Sequence, residues 1–293
     1  MNVGLLISGH LGKIILNELL ACNHSLTFVF TDFNSKEIID TCEKNKIPHF
    51  KGNPRNGNAT SFIQTVSTPD LLLSVNYLFI IDNDIIDKTK GFSINIHGSL
   101  LPKYRGRTPH VWAIINGENV TGITAHILTT ACDEGDIIYQ ESIEINKDDT
   151  GYDILQKFNS FYPSIVFKII SMVERNEVRK IPQQHSNATY FGKRTPEDGL
   201  INWSWHKERI KNWVRAQANP YPGAFSFYNG NKVIIQKIDF SEFGFNYNDT
   251  NGKILSIDNG IIVKTPNGAI TISEYSSSNN NIFEIGKNFD NGN

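Results

Sequence analysis

The sequence predicts an α/β fold: a mostly parallel sheet covered by helices, followed by a smaller β-rich domain. Three observations predict it. Short apolar runs alternate with segments of helical periodicity through the first hundred residues, the pattern of strands joined by helical crossovers. Near the other end, five short strand-like pieces follow one another with Gly, Asn and Asp between them. The chain of 293 residues also exceeds what one core usually organises, so two domains are expected.

The elements follow in order. "VGLLIS", Val3 to Ser8, is a short buried strand, and Leu11, Ile14, Ile15 and Leu19 mark the helix after it. "LTFVFTD", Leu26 to Asp32, is a second strand. "NSKEIIDTCEKNKI" is a helix with Asn34 or Ser35 as N-cap. Pro69 to Val75 is a third strand, "DNDIIDKT" a short helix and "FSINIH" a fourth strand, which together make a Rossmann-like sheet. "PHVWAIINGE" is a helix stopped near Gly117. "TGITAHILT" and "GDIIYQESIEI" form an antiparallel pair that finishes the sheet, and a long amphipathic helix from Thr150 closes the first domain. The expected division is 1–180 for this domain, 181–205 for a polar linker and 206–293 for the second domain. There "HKERIKNWVRAQAN" is helical, and "AFSFY", "KVIIQKI", "GKILSID", "GIIVKT" and "AITISEY" build a small barrel or open sheet, OB-like in kind. "SSSNNN" at 276–281 is expected to be a loop.

Composition narrows the function classes. A net charge of −2 gives no overall electrostatic pull on nucleic acid. Cys22, Cys42 and Cys132 are odd in number and form no C-x-x-C, so neither a disulfide framework nor a cysteine zinc site is expected, and a reducing cytoplasm fits. The apolar N-terminus lacks the basic start of a signal peptide, and no uninterrupted apolar run reaches the roughly 18 residues of a membrane helix.

The stretch "SINIHGSLLPKYRGRTPHVWAIINGE", Ser93 to Glu118, holds the candidate chemistry. Residues i and i+2 of a strand share a face about 7 Å apart, so Asn95 and His97 point the same way with Ile94 and Ile96 behind them. Open α/β sheets bind ligands at this end of their strands. Asp133, in the acidic loop "TACDEGDII", meets His97 only through tertiary folding. Taken alone, a strand histidine is more often a hydrogen-bonded structural residue, and a carboxylate in such a loop is usually a turn residue. His97, His110, His126 and Asp133 have no zinc-site spacing; no metal is expected, and His126 is read as structural on its strand.

The run "NIHGSLLPKYRGRTPHVWAIINGE…TGITAHIL…CDEGDII" resembles the folate-dependent formyltransferases, closest to the nucleotide-linked amino-sugar N-formyltransferases. Asn95-Ile96-His97 matches their N-x-H motif, Ser99 to Pro102 their S-L-L-P loop, and Asp133-Glu134-Gly135 their D-x-G loop. The resemblance covers roughly residues 1–230. It implies a catalytic triad of Asn95, His97 and Asp133, with N10-formyltetrahydrofolate as formyl donor, a primary amine as acceptor and no metal. It implies folate contacts at Tyr77, Leu78, Phe79, Ile81, Asp136 and Ile137. Acceptor contacts are expected at Ser99, Lys103, Arg105, Arg107, His10 and Tyr221, the cations suiting a phosphorylated acceptor. Ser8 to Gly12 lies where a phosphate turn would sit, on a weak motif.

The segment "YFGKRTPEDGLINWSWHKERIKNWVRAQANPYPGAFSFY" resembles the junction of the tRNA and amino-arabinose formylating enzymes, and its Pro196–Trp203 and Tyr221–Phe225 patterns favour the sugar enzymes. A tRNA enzyme needs a basic surface that net charge −2 does not offer. The implied acceptor is therefore a dTDP- or UDP-linked amino sugar for cell-surface polysaccharide (O-antigen) synthesis, in a cytoplasmic homodimer without nucleic-acid or membrane partners. A methionyl-tRNA formyltransferase and a non-catalytic nucleotide-sugar- or folate-binding protein stay open. Trp203, Tyr221 and Phe225 either stack on the base or pack the domain interface, with packing favoured.

Overall fold

The computed structural model describes residues 1–22, 24–277 and 283–290. The strands and helices, numbered in chain order, are β1 (Asn2–Ile7), α1 (Gly9–Ala21), β2 (Ser25–Thr31), α2 (Lys36–Lys44), β3 (His49–Lys51), α3 (Thr60–Thr65), β4 (Leu71–Val75), α4 (Asn83–Ile86) and β5 (Phe92–His97). There follow β6 (Arg105–Gly106), α5 (Pro109–Ile115), β7 (Val120–Ile127), β8 (Ile137–Glu144), α6 (Gly151–Glu174) and β9 (Tyr190–Phe191). Last come α7 (Lys207–Ala216), β10 (Ala224–Tyr228), β11 (Asn231–Ser241), β12 (Ile254–Ser256), β13 (Ile261–Thr265) and β14 (Gly268–Ser277). Of the expected loop at 276–281, residues 276 and 277 end β14 and the rest lie outside the described residues. The chain divides into two interleaved compact units: residues 1–106, 121–143 and 157–191 form one, and 107–120, 144–156 and 192–293 the other.

The first unit carries a seven-stranded sheet of order β3-β2-β1-β4-β5-β7-β8. β1 to β5 pair in parallel, and β7 runs antiparallel to β5. Gly122 lies against Glu141 O and Ile127 N–H donates to Asp136 O, so β8 returns antiparallel to β7, as the sequence predicts. Leu5, Leu6, Ile7, Leu71, Leu72 and Leu73 have no exposed surface, because a sheet covered on both faces buries consecutive residues and not only alternate ones. Chain order reverses between β1 and β4, and the loops after their carboxyl ends open onto the crevice where such sheets take ligands.

Helix ends follow local chemistry. Thr150 and Asp153 cap α6 reciprocally: Thr150 N–H donates to the Asp153 carboxylate and Asp153 N–H to Thr150 Oγ1. Ser35 precedes α2, as expected, but its hydroxyl does not cap that helix. It accepts from Gly9 N–H at the start of α1 and donates to Asp32. The first amide of α1 is thus already taken by a hydroxyl that itself leads to the Asp32 carboxylate, which disfavours a phosphate there.

In the second unit, β10-β11-β14-β13-β12 form an antiparallel sheet around Val233, Ile235, Val263, Ile270 and Ile272. The segment 288–290 bridges both of its edges, with Asn288 opposite Lys253 and Asp290 opposite Phe227, and so joins the two ends of the sheet. Trp203 is fully buried, donates from Nε1 to Ser226 Oγ at 2.9 Å and stacks on Phe289. Phe225 is buried as well, so both aromatics pack inside this unit.

Candidate active site

The pairing of β5 with β7 sets up the site. Asn95 lies opposite His126 and His97 opposite Thr124, and directly opposed residues put their side chains on one face. His126 Nδ1 sits 2.8 Å from Ile127 O, an acceptor, so Nδ1 carries the proton and Nε2 offers a lone pair. Asn95 Nδ2 fills it at 3.0 Å and donates its second proton to Asp133 Oδ1 at 3.3 Å. His126 was expected to be structural; the strand register makes it a neighbour of the site, and Nε2 is also 3.6 Å from Asp133 Oδ1.

His97 is nearly buried. Its Nε2 donates to Tyr104 O at 2.8 Å, and its Nδ1 faces Asp133 Oδ2 at 3.5 Å. Asp133 has φ 55°, the left-handed region that Asp tolerates better than most residues. That turn aims its carboxylate back at β5, where Gly106 N–H donates to Oδ2 at 2.9 Å. Burial by itself raises a carboxyl pKa. The charge of His97 and the Gly106 N–H outweigh it and hold Asp133 well below the ordinary carboxylate range. Asn95 and His97 therefore converge on the Asp133 carboxylate, which stays ionised at neutral pH. Tyr162 closes one side, its phenol pushed up by burial and by the charge of Asp133. Among the described residues no group of three or more His, Cys, Asp or Glu is arranged to hold a metal ion.

The loop between β5 and β6 is built tightly. A Cβ on Gly98 would fall 2.8 Å from the Phe158 ring. Ser99 has no exposed surface; its hydroxyl donates to Lys103 O, and its carbonyl accepts from Thr124. The expected acceptor role for Ser99 thus gives way to a turn brace. Arg105 departs further from its expectation. Its guanidinium is fully buried and binds Gln183 Oε1, the Tyr190 hydroxyl and, at 3.4 Å, Glu134. A basic residue in a polar loop reads as a surface cation, but this one is covered by a segment some eighty residues further on. Lys103 and Arg107 are exposed, as is His10 in the first turn of α1.

The proposed folate wall follows β4. Leu78 is 38% exposed and Ile80 48% exposed, whereas Ile81 is 3% exposed and packs with Leu6, Phe28, Phe30 and Leu72. The outward pair is thus Leu78 and Ile80; Ile81 belongs to the core, and Ile80 was missed because an unbroken apolar run does not disclose which residues turn outward. Tyr77 is half-buried, its hydroxyl near Gly52 O, and it packs edge-on against Phe79. Burial and then the charge of Asp32 push its phenol up. Ile137 is buried, and its N–H and C=O both pair with Ile181, so its amide proton is already taken. Asp136 is partly exposed, with its carbonyl bonded to Ile127.

Tyr221 lies in the second unit, its hydroxyl 3.0 Å from His110 Nε2. Burial and the neighbouring Tyr152 push the Tyr221 phenol up to about 12, and burial pulls His110 down to about 4. The unfolded chain then takes up a proton near the ordinary histidine value of about 6.5 that folded His110 refuses. Folding stability is full above that pH and falls as pH drops from about 6.5 towards 4. Urea titrations at pH 8, 6 and 5 are expected to show this loss, and a His110→Phe variant is expected to flatten it.

The sequence profile described as "Formyl transferase" matches residues 6–170, and "Formyl transferase, C-terminal domain" matches residues 193–293. Among curated relatives, the bifunctional polymyxin resistance protein ArnA of Wigglesworthia glossinidia brevipalpis is 40% identical over 221 residues, 75% of this chain. The chain spans only 33% of that protein's length. A methionyl-tRNA formyltransferase of Alkaliphilus oremlandii is 33% identical over 271 residues, 88% of this chain and 86% of the relative. The solved N-formyltransferase from Helicobacter canadensis, in complex with folinic acid and dTDP-3-aminofucose, superposes with a TM-score of 0.71 at 20% identity over 92% of this chain and 97% of its own. At that identity the likeness speaks for the fold.

Proposed function

Because the chain belongs to the formyl transferase family, we propose that it transfers a formyl group from N10-formyltetrahydrofolate to the primary amine of a nucleotide-linked amino sugar. The observation that carries this reading is the convergence of Asn95, His97 and Asp133. The amine attacks the formyl carbon and generates a tetrahedral oxyanion. Asn95 Nδ2 and a ring N–H of His97 donate to that oxygen. Such donors are worth roughly 10²- to 10³-fold each in turnover. The Asn95 protons are bonded to His126 and Asp133, and His97 Nε2 to Tyr104 O, so these donors exchange partners to reach the substrate oxygen. The attacking nitrogen sheds one proton and the folate N10 gains one; an imidazole backed by a carboxylate suits that relay. Leu78, Phe79 and Ile80 form the apolar wall for the pteridine. Lys103 and Arg107, not the buried Arg105, meet the acceptor's phosphates.

Support for a sugar acceptor is the likeness of the Pro196–Trp203 and Tyr221–Phe225 patterns to the sugar enzymes and the net charge of −2, which supplies no general attraction for RNA. The product would serve cell-surface polysaccharide assembly. A second reading, formylation of charged initiator tRNA, is favoured by the relative that matches along most of its own length. Purified protein incubated with N10-formyltetrahydrofolate and either UDP-, dTDP- and GDP-linked amino sugars or methionyl initiator tRNA separates the two. Formyl-sugar product with the tRNA unmodified is expected; formylated tRNA with no sugar product would overturn the proposal.

A further inference from the structure

We infer that Gln183 is a positioning residue for this reaction: its carboxamide clamps the loop that carries Asp133, and buried Arg105 holds the carboxamide in that orientation. The inference rests on the formyl-transfer reading above. Gln183 is itself buried. Its Nε2 donates to Asp133 O at 2.9 Å and to Gly135 O at 2.7 Å. Its Oε1 accepts from Arg105 Nη2 at 2.6 Å and from Nε at 3.2 Å. Carbonyls only accept and guanidinium only donates, so one orientation of the amide satisfies all four bonds and the reverse satisfies none.

The clamp acts on a turn that needs holding. Asp133 has a left-handed backbone, and Gly135 lies so close to Ile127 O that a Cβ would stand 1.9 Å away. Arg105 and Gly106 grip the turn from two sides. The Arg105 side chain reaches the Asp133 carbonyl through Gln183, and Gly106 N–H takes the Asp133 carboxylate. Both residues are pinned by pairing of β6 with β9, Arg105 beside Tyr190 and Gly106 beside Phe191. Tyr190 adds hydrogen bonds to Glu134 and Arg105. A polar stretch that resembles a connector thus fixes where a catalytic carboxylate points.

The test separates positioning from simple bracing. Gln183→Glu keeps the shape and the acceptor for Arg105 but replaces two donors with an anion facing two carbonyls. We expect kcat to fall about tenfold to a hundredfold, the scale of misplacing a reactive group by about 1 Å, with KM for formyl donor and acceptor within about threefold. In protein carrying ¹³C-labelled aspartate, the Asp133 carboxyl titration should move up towards the ordinary range as its donors drift away. That readout needs no turnover. A wild-type protein that formylates no amine would remove the reaction reading while leaving the clamp measurable. Unchanged kcat together with an unchanged Asp133 titration would reduce Gln183 to a brace and overturn the inference. Should Gln183→Glu fail to fold, Arg105→Lys serves: it keeps the charge beside Glu134 but loses the two-pronged grip. The same kcat loss and titration shift are expected from it, and neither appearing would equally overturn the inference.

Discussion

Replacing His97 with alanine is expected to lower turnover by about 10²- to 10⁴-fold, the usual scale for a positioned acid–base group. The ring is nearly buried, bonds Tyr104 O through Nε2 and faces Asp133 through Nδ1. Alanine removes both the proton carrier and the positive partner of a buried carboxylate. Apparent affinity for the folate should survive, because the exposed apolar residues after β4 are untouched. Steady-state kinetics with tetrahydrofolate release as readout, beside folate binding measured by calorimetry, check both parts. Near-normal turnover in the variant would take His97 out of the mechanism.

Asp133→Asn is expected to be as severe, roughly 10²- to 10⁴-fold in kcat, by analogy with carboxylates that orient a catalytic imidazole. The carboxylate accepts from Asn95 Nδ2 and Gly106 N–H and faces both His97 and His126. An amide offers one oxygen in place of two, so it meets either Asn95 or Gly106 with a donor against a donor. The substitution also changes acid stability. The folded carboxyl is held below its ordinary value, so the unfolded chain binds a proton first as pH falls. The stabilisation is complete above the unfolded value, near pH 4, and is lost as pH drops through the folded one. Denaturant midpoints between pH 6 and 3 should fall in the wild type, and the part contributed by Asp133 should be missing in the variant. An equal slope in both proteins would show that this carboxylate does not carry the effect.

Much of this arrangement was legible in the chain, for definite reasons. Buried parallel strands write themselves as apolar runs, and the two-residue strand period put Asn95 and His97 on one face before any coordinates. Asp133 was reached only through the resemblance, since its place beside His97 depends on a hairpin and a left-handed turn that no local pattern encodes. Arg105 was misjudged because charge in a loop ordinarily means solvent; its burial comes from Gln183 and Tyr190, whose approach is a tertiary fact. Ile81 and Ile137 were taken for ligand contacts because the resemblance places folate along their segments, and it does not tell a wall residue from a core one. His126 had a usable signal: pairing "FSINIH" with "TGITAHIL" in antiparallel register sets it against Asn95. Gln183 had none, being one polar residue among many.

The bridge formed by residues 288–290 has a consequence for biosynthesis. The carbonyls it satisfies, Phe227 O in β10 and Gly252 O just before β12, are synthesised well before it. While the nascent chain is still emerging from the ribosome, those strands can recruit a foreign strand instead. Premature termination before Asn288 would make that vulnerability permanent, and such fragments should precipitate where the full-length polypeptide remains dispersed.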